Sequence, residues 1–203
     1  MSGLEGGRAA LEAAARAAIA YREDVLAAAR TPSANYAEML AAFAGPTPEQ
    51  AGEAAAIVEE LARLATPGIR AMTGPRFFGW VIGGSHPTGV AADWLTAAWG
   101  QNAGNQVAAP AAAAVETVAA GWLLDLLGLP AEASVGFVTG ATVANFVCLA
   151  AARSDVLRQA GWDVEADGLF GAPPITVVIG EEAHPTLIKA LGLVGFGRRR
   201  LVR

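Results

Sequence analysis

The chain has 203 residues, an apolar fraction of 54% and a charged fraction of 16%. That is core-forming material for one domain or one and a half, and it excludes a globally disordered chain. The formal net charge of −5 argues against a nucleic-acid partner, because basic residues cluster only at Arg198, Arg199 and Arg200.

In chain order, residues 4–30 are Ala-rich, with Leu11, Ala15, Ile19 and Leu26 at helical spacing, and predict one long amphipathic helix ending before Pro32. Thr47-Pro48-Glu49-Gln50 has the form of a capped helix start and predicts a second helix, running to Leu64. Residues 66–89 change character: glycines and prolines punctuate a segment carrying Phe77, Phe78 and Trp80. A long Gly/Pro loop with embedded aromatics inside a domain is more often functional than a plain linker. Two more helices are expected over 90–100 and 111–127, the second closed by Gly128 and Pro130.

After Pro130 the pattern becomes α/β. Val135–Thr139 reads as a short strand, Gly140 as a turn and 142–159 as a helix. The β-branched run Ile175–Ile179 reads as a buried strand, 186–193 as a helix, and Arg200–Val202 as the start of another strand. Two or three strands make an incomplete doubly wound sheet with exposed apolar edges. The chain is therefore expected to need a cover: a remainder, another chain, or both.

Three constellations carry possible chemistry. At Thr139-Gly140-Ala141-Thr142 a strand runs into a small-residue turn at a helix N-terminus, where free N–H groups and the helix dipole favour an anion. It is neither a Walker loop nor a dinucleotide fingerprint, and a plain turn capped by Thr142 is the competing reading. Glu181-Glu182-Ala183-His184 follows a strand end, where open α/β sheets bind ligands. His184 there suits either stacking on an aromatic ligand or capping of the Pro185 helix. His86, in Gly83-Gly84-Ser85-His86-Pro87, has no ligand-spaced partner, so no metal site is expected, and no Gly-x-Ser-x-Gly marks a hydrolase. Cys148 stands alone, which excludes an intrachain disulfide. Met1–Gly7 lacks a signal-peptide pattern, and Glu116 and Asp125 interrupt the most apolar stretch. The expectation is a cytoplasmic chain with no membrane partner.

Taken in order, these pieces resemble the group II pyridoxal-phosphate-dependent amino-acid decarboxylases. Gly74-Pro75-Arg76-Phe77-Phe78-Gly79-Trp80 is similar to the family's His-Pro-x-Phe-Phe-x-Tyr loop. Pro87 with Asp93 and Leu95, Gln101-Asn102, Pro110 with Val115-Glu116 and Trp122-Leu123, and Leu127-Gly128-Leu129-Pro130 follow in the family's order. Gly136–Asn145 resembles its phosphate segment, and Glu182-Ala183-His184-Pro185-Thr186 with Lys189-Ala190 its histidine block. The resemblance is good over about residues 70–200 and weaker before.

The resemblance implies a fold-type I, pyridoxal-phosphate transferase-like α/β fold. Residues 1–75 would be an N-terminal helical arm that swaps in a homodimer, and 76–203 the first part of the large, cofactor-binding domain. It implies pyridoxal 5′-phosphate as cofactor and an amino acid as substrate. Gly140, Ala141 and Thr142 would hold the phosphate, and His184 would be the catalytic, ring-stacking residue. Trp80, Val81 and Ile82 would face the substrate side chain, with Asn102 near that pocket. Pro185, Gly74 and Trp80 depart from the usual Ser, His and Tyr, so the substrate pocket is not that of a standard aromatic decarboxylase. The family's Schiff-base lysine and its pyridinium-pairing Asp lie downstream of the histidine block. The chain's one lysine, Lys189, matches neither position and is expected on a helix surface. Alternatives within this resemblance are another fold-type I enzyme (an aldehyde synthase, transaminase or lyase) and an inactive or split subunit completed by a C-terminal half.

Overall fold

The computed structural model describes residues 2–27 and 31–203, with side chains from residue 6 onward. The backbone gathers into two compact units, Met1–Gln101 and Asn102–Arg203.

In the first unit, α1 (Ser2–Asp24) packs on α3 (Ala54–Ala65), and α2 (Tyr36–Phe43) lies against α3. The long helix expected over 4–30 ends at Asp24 and gives way to turns; residues 28–30 of that expectation lie outside the described residues. Arg16 and Glu59 pair across α1 and α3, and the Arg22 guanidinium donates to the Ser85 carbonyl at 2.7 Å. The α1–α3 seam is built on small residues: Ala13 is buried, whereas Leu11 and Ile57 remain more than half exposed.

The helix expected to start at Thr47-Pro48 starts instead at Ala54. Glu53 is the better cap, because its carboxylate accepts from both the Ala55 and Ala56 N–H groups, at 3.1 and 2.7 Å. The sequence reading also missed α2, although Asn35 and Glu38 form a reciprocal capping box at its start. Helix α4 (Pro87–Trp99) begins three residues before the expected Val90, with the His86 side chain as its cap.

The second unit contains α5 (Pro110–Leu127), α6 (Ala141–Gln159), the one-turn α7 (Val164–Asp167) and α8 (Pro185–Leu193). Its core lies between α6 and α8, where Leu157, Leu191 and Val194 are each 1% exposed. The Arg153 guanidinium donates to the Val194 carbonyl at 3.0 Å and ties α6 to the end of α8.

The expected sheet is reduced to a single contact. Val178 and Val202 form a parallel bridge, with Ile179 N–H donating to Val202 and Val202 N–H to Val177, both at 2.9 Å. Val135–Thr139 joins no ladder among the described residues, and Arg200 belongs to a 3₁₀ turn rather than to a strand. A parallel pair gains stability only with neighbours on both sides, and the described residues supply one contact.

Apolar surface is correspondingly open. Two compact bodies of half the 20.6 kDa mass would expose about 5,400 Å² each, against 15573 Å² here. Helix α5 shows this most. Its 18 residues and mean hydropathy of 1.3 are long and apolar enough to cross a bilayer, and 6% of the stretch is buried. Glu116 and Asp125 within it would each cost a few kcal/mol in a membrane if placed near its centre, and a core helix awaiting its packing partner has the same length and composition.

Candidate cofactor cradle and its histidine

The cradle begins at Gly140, which has φ 156° and ψ 173° as the N-cap of α6. Only glycine adopts that conformation without strain. The requirement is conformational and not spatial, because a Cβ there would meet nothing within 4 Å. Helices α2, α3, α4, α7 and α8 each have a side chain on their first N–H groups, whereas no side chain caps α5 or α6. Thr142 therefore does not cap the helix; it is the second helical residue and half-buried. The Val143 and Ala144 N–H groups both donate to the Gly140 carbonyl at 3.0 Å, which leaves those of Ala141 and Thr142 at the open end.

His184 is the N-cap of α8, and its ring is exposed. Its Nδ1 accepts the Thr186 N–H at 3.2 Å and lies 2.8 Å from Thr186 Oγ1. Of the two sequence readings of His184, the capping of the Pro185 helix is seen, and the ring remains exposed. Asn145, one turn into α6, donates from Nδ2 to Thr186 Oγ1 at 3.3 Å. That bond joins two helix starts 41 residues apart in sequence, so the phosphate and histidine segments stand side by side. Asn145 and Thr186 were quoted in the sequence motifs without a role. Lys189 lies exposed on α8, as expected.

The substrate-loop residues belong to the first unit. Trp80 and Val81 have φ of 53° and 54°, two consecutive non-glycine residues in the left-handed region, and Val81 is β-branched. Such a pair stores strain that functional loops often carry. Trp80 is held by its neighbours: its ring lies 5.9 Å from Phe77, and the Arg70 guanidinium sits 5.5 Å over it. Trp80 is nevertheless 68% exposed, and Val81 and Ile82 are also exposed. Asn102 opens the second unit, where its Oδ1 accepts the Gly104 N–H at 2.9 Å in a local turn. Arg70 escaped the sequence reading and Phe77 was named there without this role, since only the folded loop brings them onto Trp80. Among the described residues, no three His, Cys, Asp or Glu side chains converge as metal ligands would.

The donor set fits pyridoxal 5′-phosphate. The open α6 N-terminus and the Thr142 hydroxyl match a phosphate, and a flat exposed imidazole on the adjoining helix start matches an aromatic ring.

Comparison with known proteins bears on the same group. The profile of the family described as "Pyridoxal-dependent decarboxylase conserved domain" matches residues 37–198. Tryptophan decarboxylase 1 of Oryza sativa subsp. japonica is 29% identical over 150 residues, covering 68% of this chain and 28% of that protein. Phenylacetaldehyde synthase of a Rosa hybrid cultivar is 28% identical over 145 residues, covering 68% of this chain and 27% of that protein. The chain thus spans a little over a quarter of the length of these curated relatives. Among solved structures, Oryza sativa TDC with PLP and tryptamine aligns with a TM-score of 0.81 at 24% identity, over 97% of this chain and 43% of that one. The glutamate decarboxylase domain of a Vibrio parahaemolyticus protein aligns with a TM-score of 0.85 at 21% identity, over 95% and 42%. At these identities the structural matches show a shared fold.

Proposed function

We propose, since this chain belongs to the pyridoxal-dependent decarboxylase family, that it forms the phosphate-binding and ring-stacking part of a pyridoxal 5′-phosphate-dependent amino-acid decarboxylase. The observation that carries the reading is the uncapped α6 N-terminus tied to the His184 cap through Asn145 and Thr186.

The chain's own residues divide the work. The Ala141 and Thr142 N–H groups and the Thr142 hydroxyl hold the phosphate dianion at the positive end of α6, with Gly140 keeping the approach open. The His184 ring stacks on the pyridine and fixes its tilt. When bound, pyridoxal 5′-phosphate supplies the electron sink for the pair left as the carboxylate departs as carbon dioxide. Trp80, Val81 and Ile82 offer the substrate an apolar, strained surface suited to a large apolar side chain; Asn102 is assigned to the substrate by the resemblance alone. The covalent lysine is assigned to a segment other than α8.

The exposed apolar faces of α1, α3 and α5 support a homodimer in which residues 1–75 act as a swapped arm; a cytoplasmic setting is proposed from the sequence reading alone. Sizing in solution tests the first, and a monomer would refute it.

The test of function is direct. The protein is mixed with pyridoxal 5′-phosphate and a panel of tryptophan, tyrosine, phenylalanine and glutamate, and cofactor absorbance, carbon dioxide and amine are followed. Cofactor binding that is lost in His184→Ala and weakened in Thr142→Val supports the reading; no cofactor binding refutes it. The similarity to phenylacetaldehyde synthase supports a second reading, an aldehyde-forming enzyme on the same cradle. Aldehyde in place of amine as the product selects it.

A further inference from the structure

The chain contains the same triplet twice, His86-Pro87-Thr88 and His184-Pro185-Thr186. Both fold as helix starts: the histidine is the N-cap, the proline the first helical residue, and the threonine N–H donates to the histidine Nδ1, at 3.3 Å in the first copy and 3.2 Å in the second. The copies differ beyond that bond. Only at His184 does the threonine hydroxyl also reach Nδ1, at 2.8 Å, and only there does an asparagine amide, Asn145 Nδ2, stand behind that hydroxyl at 3.3 Å.

The hydrogen-bond sense follows from the inventory of donors. An amide NH₂ has no lone pair to offer, so Asn145 donates and the Thr186 oxygen accepts. The hydroxyl proton is then free to point at Nδ1. Nδ1 already accepts a backbone N–H, so it carries the lone pair, and the neutral ring holds its proton at Nε2.

We propose that Asn145 and Thr186 are positioning residues for His184: an amide-to-hydroxyl-to-imidazole chain that locks the ring as its Nε2–H tautomer and fixes its plane. This deepens the reading of His184 as the ring-stacking residue and rests on it for its meaning, but not for its measurement. The Asn145 link also makes the ring's orientation depend on α6, so the phosphate cradle and the stacking face move as one piece. His86 lacks this second donor and serves as the internal reference.

The test uses the full chain without cofactor, labelled with ¹⁵N-histidine. Long-range ¹H–¹⁵N spectra in alkaline buffer report the Nε2–H to Nδ1–H ratio of each ring, with signals assigned by their loss in His184→Gln and His86→Gln. One additional hydrogen bond to Nδ1 is expected to raise the ratio at His184 about five-fold over that at His86. Thr186→Val should bring it down to the His86 value, and Thr186→Ser should restore it. Asn145→Asp places an acceptor behind the hydroxyl, turns its proton away from Nδ1, and should lower the ratio as Thr186→Val does. Should Thr186→Val lose its helical signal, the Asn145→Asp and Thr186→Ser pair decides. Equal ratios at the two histidines, or a ratio unmoved by Asn145→Asp, overturn the proposal. Because these spectra are taken without pyridoxal 5′-phosphate, a failure to bind the cofactor would refute the functional reading and leave this result standing, and the reverse also holds.

Discussion

Replacing Gly140 by alanine separates conformation from space. At φ 156° and ψ 173°, an L-residue is strained whatever surrounds it, yet a Cβ at this position meets nothing within 4 Å. No clash enters, so the penalty is the backbone's alone, about 1–3 kcal/mol. The chain can bear that strain or let residue 140 relax to negative φ. Relaxation turns the peptide leading into α6 and swings the Ala141 N–H away from the phosphate position. If it relaxes, the competent cradle becomes scarcer by about 5- to 150-fold and affinity for pyridoxal 5′-phosphate falls by the same factor; if it bears the strain, the same about 1–3 kcal/mol is lost from folding stability.

Gly136 provides the matched control. It too has open space around a Cβ, but its φ is not in the positive range. Gly136→Ala should be neutral or stabilising by about 0.4–1 kcal/mol through the unfolded chain. The assay is cofactor titration by absorbance beside urea denaturation of the same preparations. If Gly140→Ala and Gly136→Ala are indistinguishable in both, the conformational argument for the cradle fails.

Other outcomes follow from the packing. Leu191→Ala should cost about 2–5 kcal/mol, because Leu191 is 1% exposed between α6 and α8, whereas Leu11→Ala, at 70% exposed, should stay within about 0.5 kcal/mol; denaturation midpoints compare them. Gly83→Ala would put a Cβ 2.7 Å from the Met72 carbonyl oxygen at a φ of 114°, so it should open the Trp80 loop to limited proteolysis. Hydrogen bonds from Ala56 and then Ala55 hold the Glu53 carboxyl below its ordinary 4.5. A carboxyl depressed on folding adds stability above its ordinary value and loses it as pH falls through the lowered one, so α3 should weaken in acid. Glu53→Gln should abolish that acid-sensitive part of the helical circular-dichroism signal, and an unchanged acid transition would refute the cap.

Local chemistry was legible in the sequence where one short stretch decides the outcome. The α5 closure by Gly128, the α6 start at Gly140 and the α8 start at Pro185 depend on neighbours in sequence, and all appear near their expected places. The Thr47-Pro48 start failed because two local signals competed, and the Glu53 carboxylate, with two N–H groups to satisfy, prevailed. The strands failed for a different reason. A β-branched run such as Ile175–Ile179 states a preference, but a ladder requires a partner, and among the described residues only Val202 arrives. In the proposed site, the family resemblance supplied the expected phosphate and stacking positions, while the link between Asn145 and Thr186 became legible only once α6 and α8 were seen to pack.

That difference explains how a cradle persists where a sheet does not. In a doubly wound fold the ladder sets the relative height of successive helix starts, and ligands sit at the strand ends. Here α6 and α8 are held instead by a direct link and a shared core. The Asn145–Thr186 bond fixes their N-terminal ends, Leu157, Leu191 and Val194 fill the space between them, and Arg153 closes the far end on the Val194 carbonyl. Each tie is between helices and owes nothing to the Val178–Val202 bridge. Breaking the bridge, by Val202→Pro, removes the N–H that donates to Val177. On this reasoning it should loosen the end of the chain while the His184 tautomer ratio stays where it was. A ratio that collapses with the bridge would mean that the strand pair, and not the helix pair, holds the site.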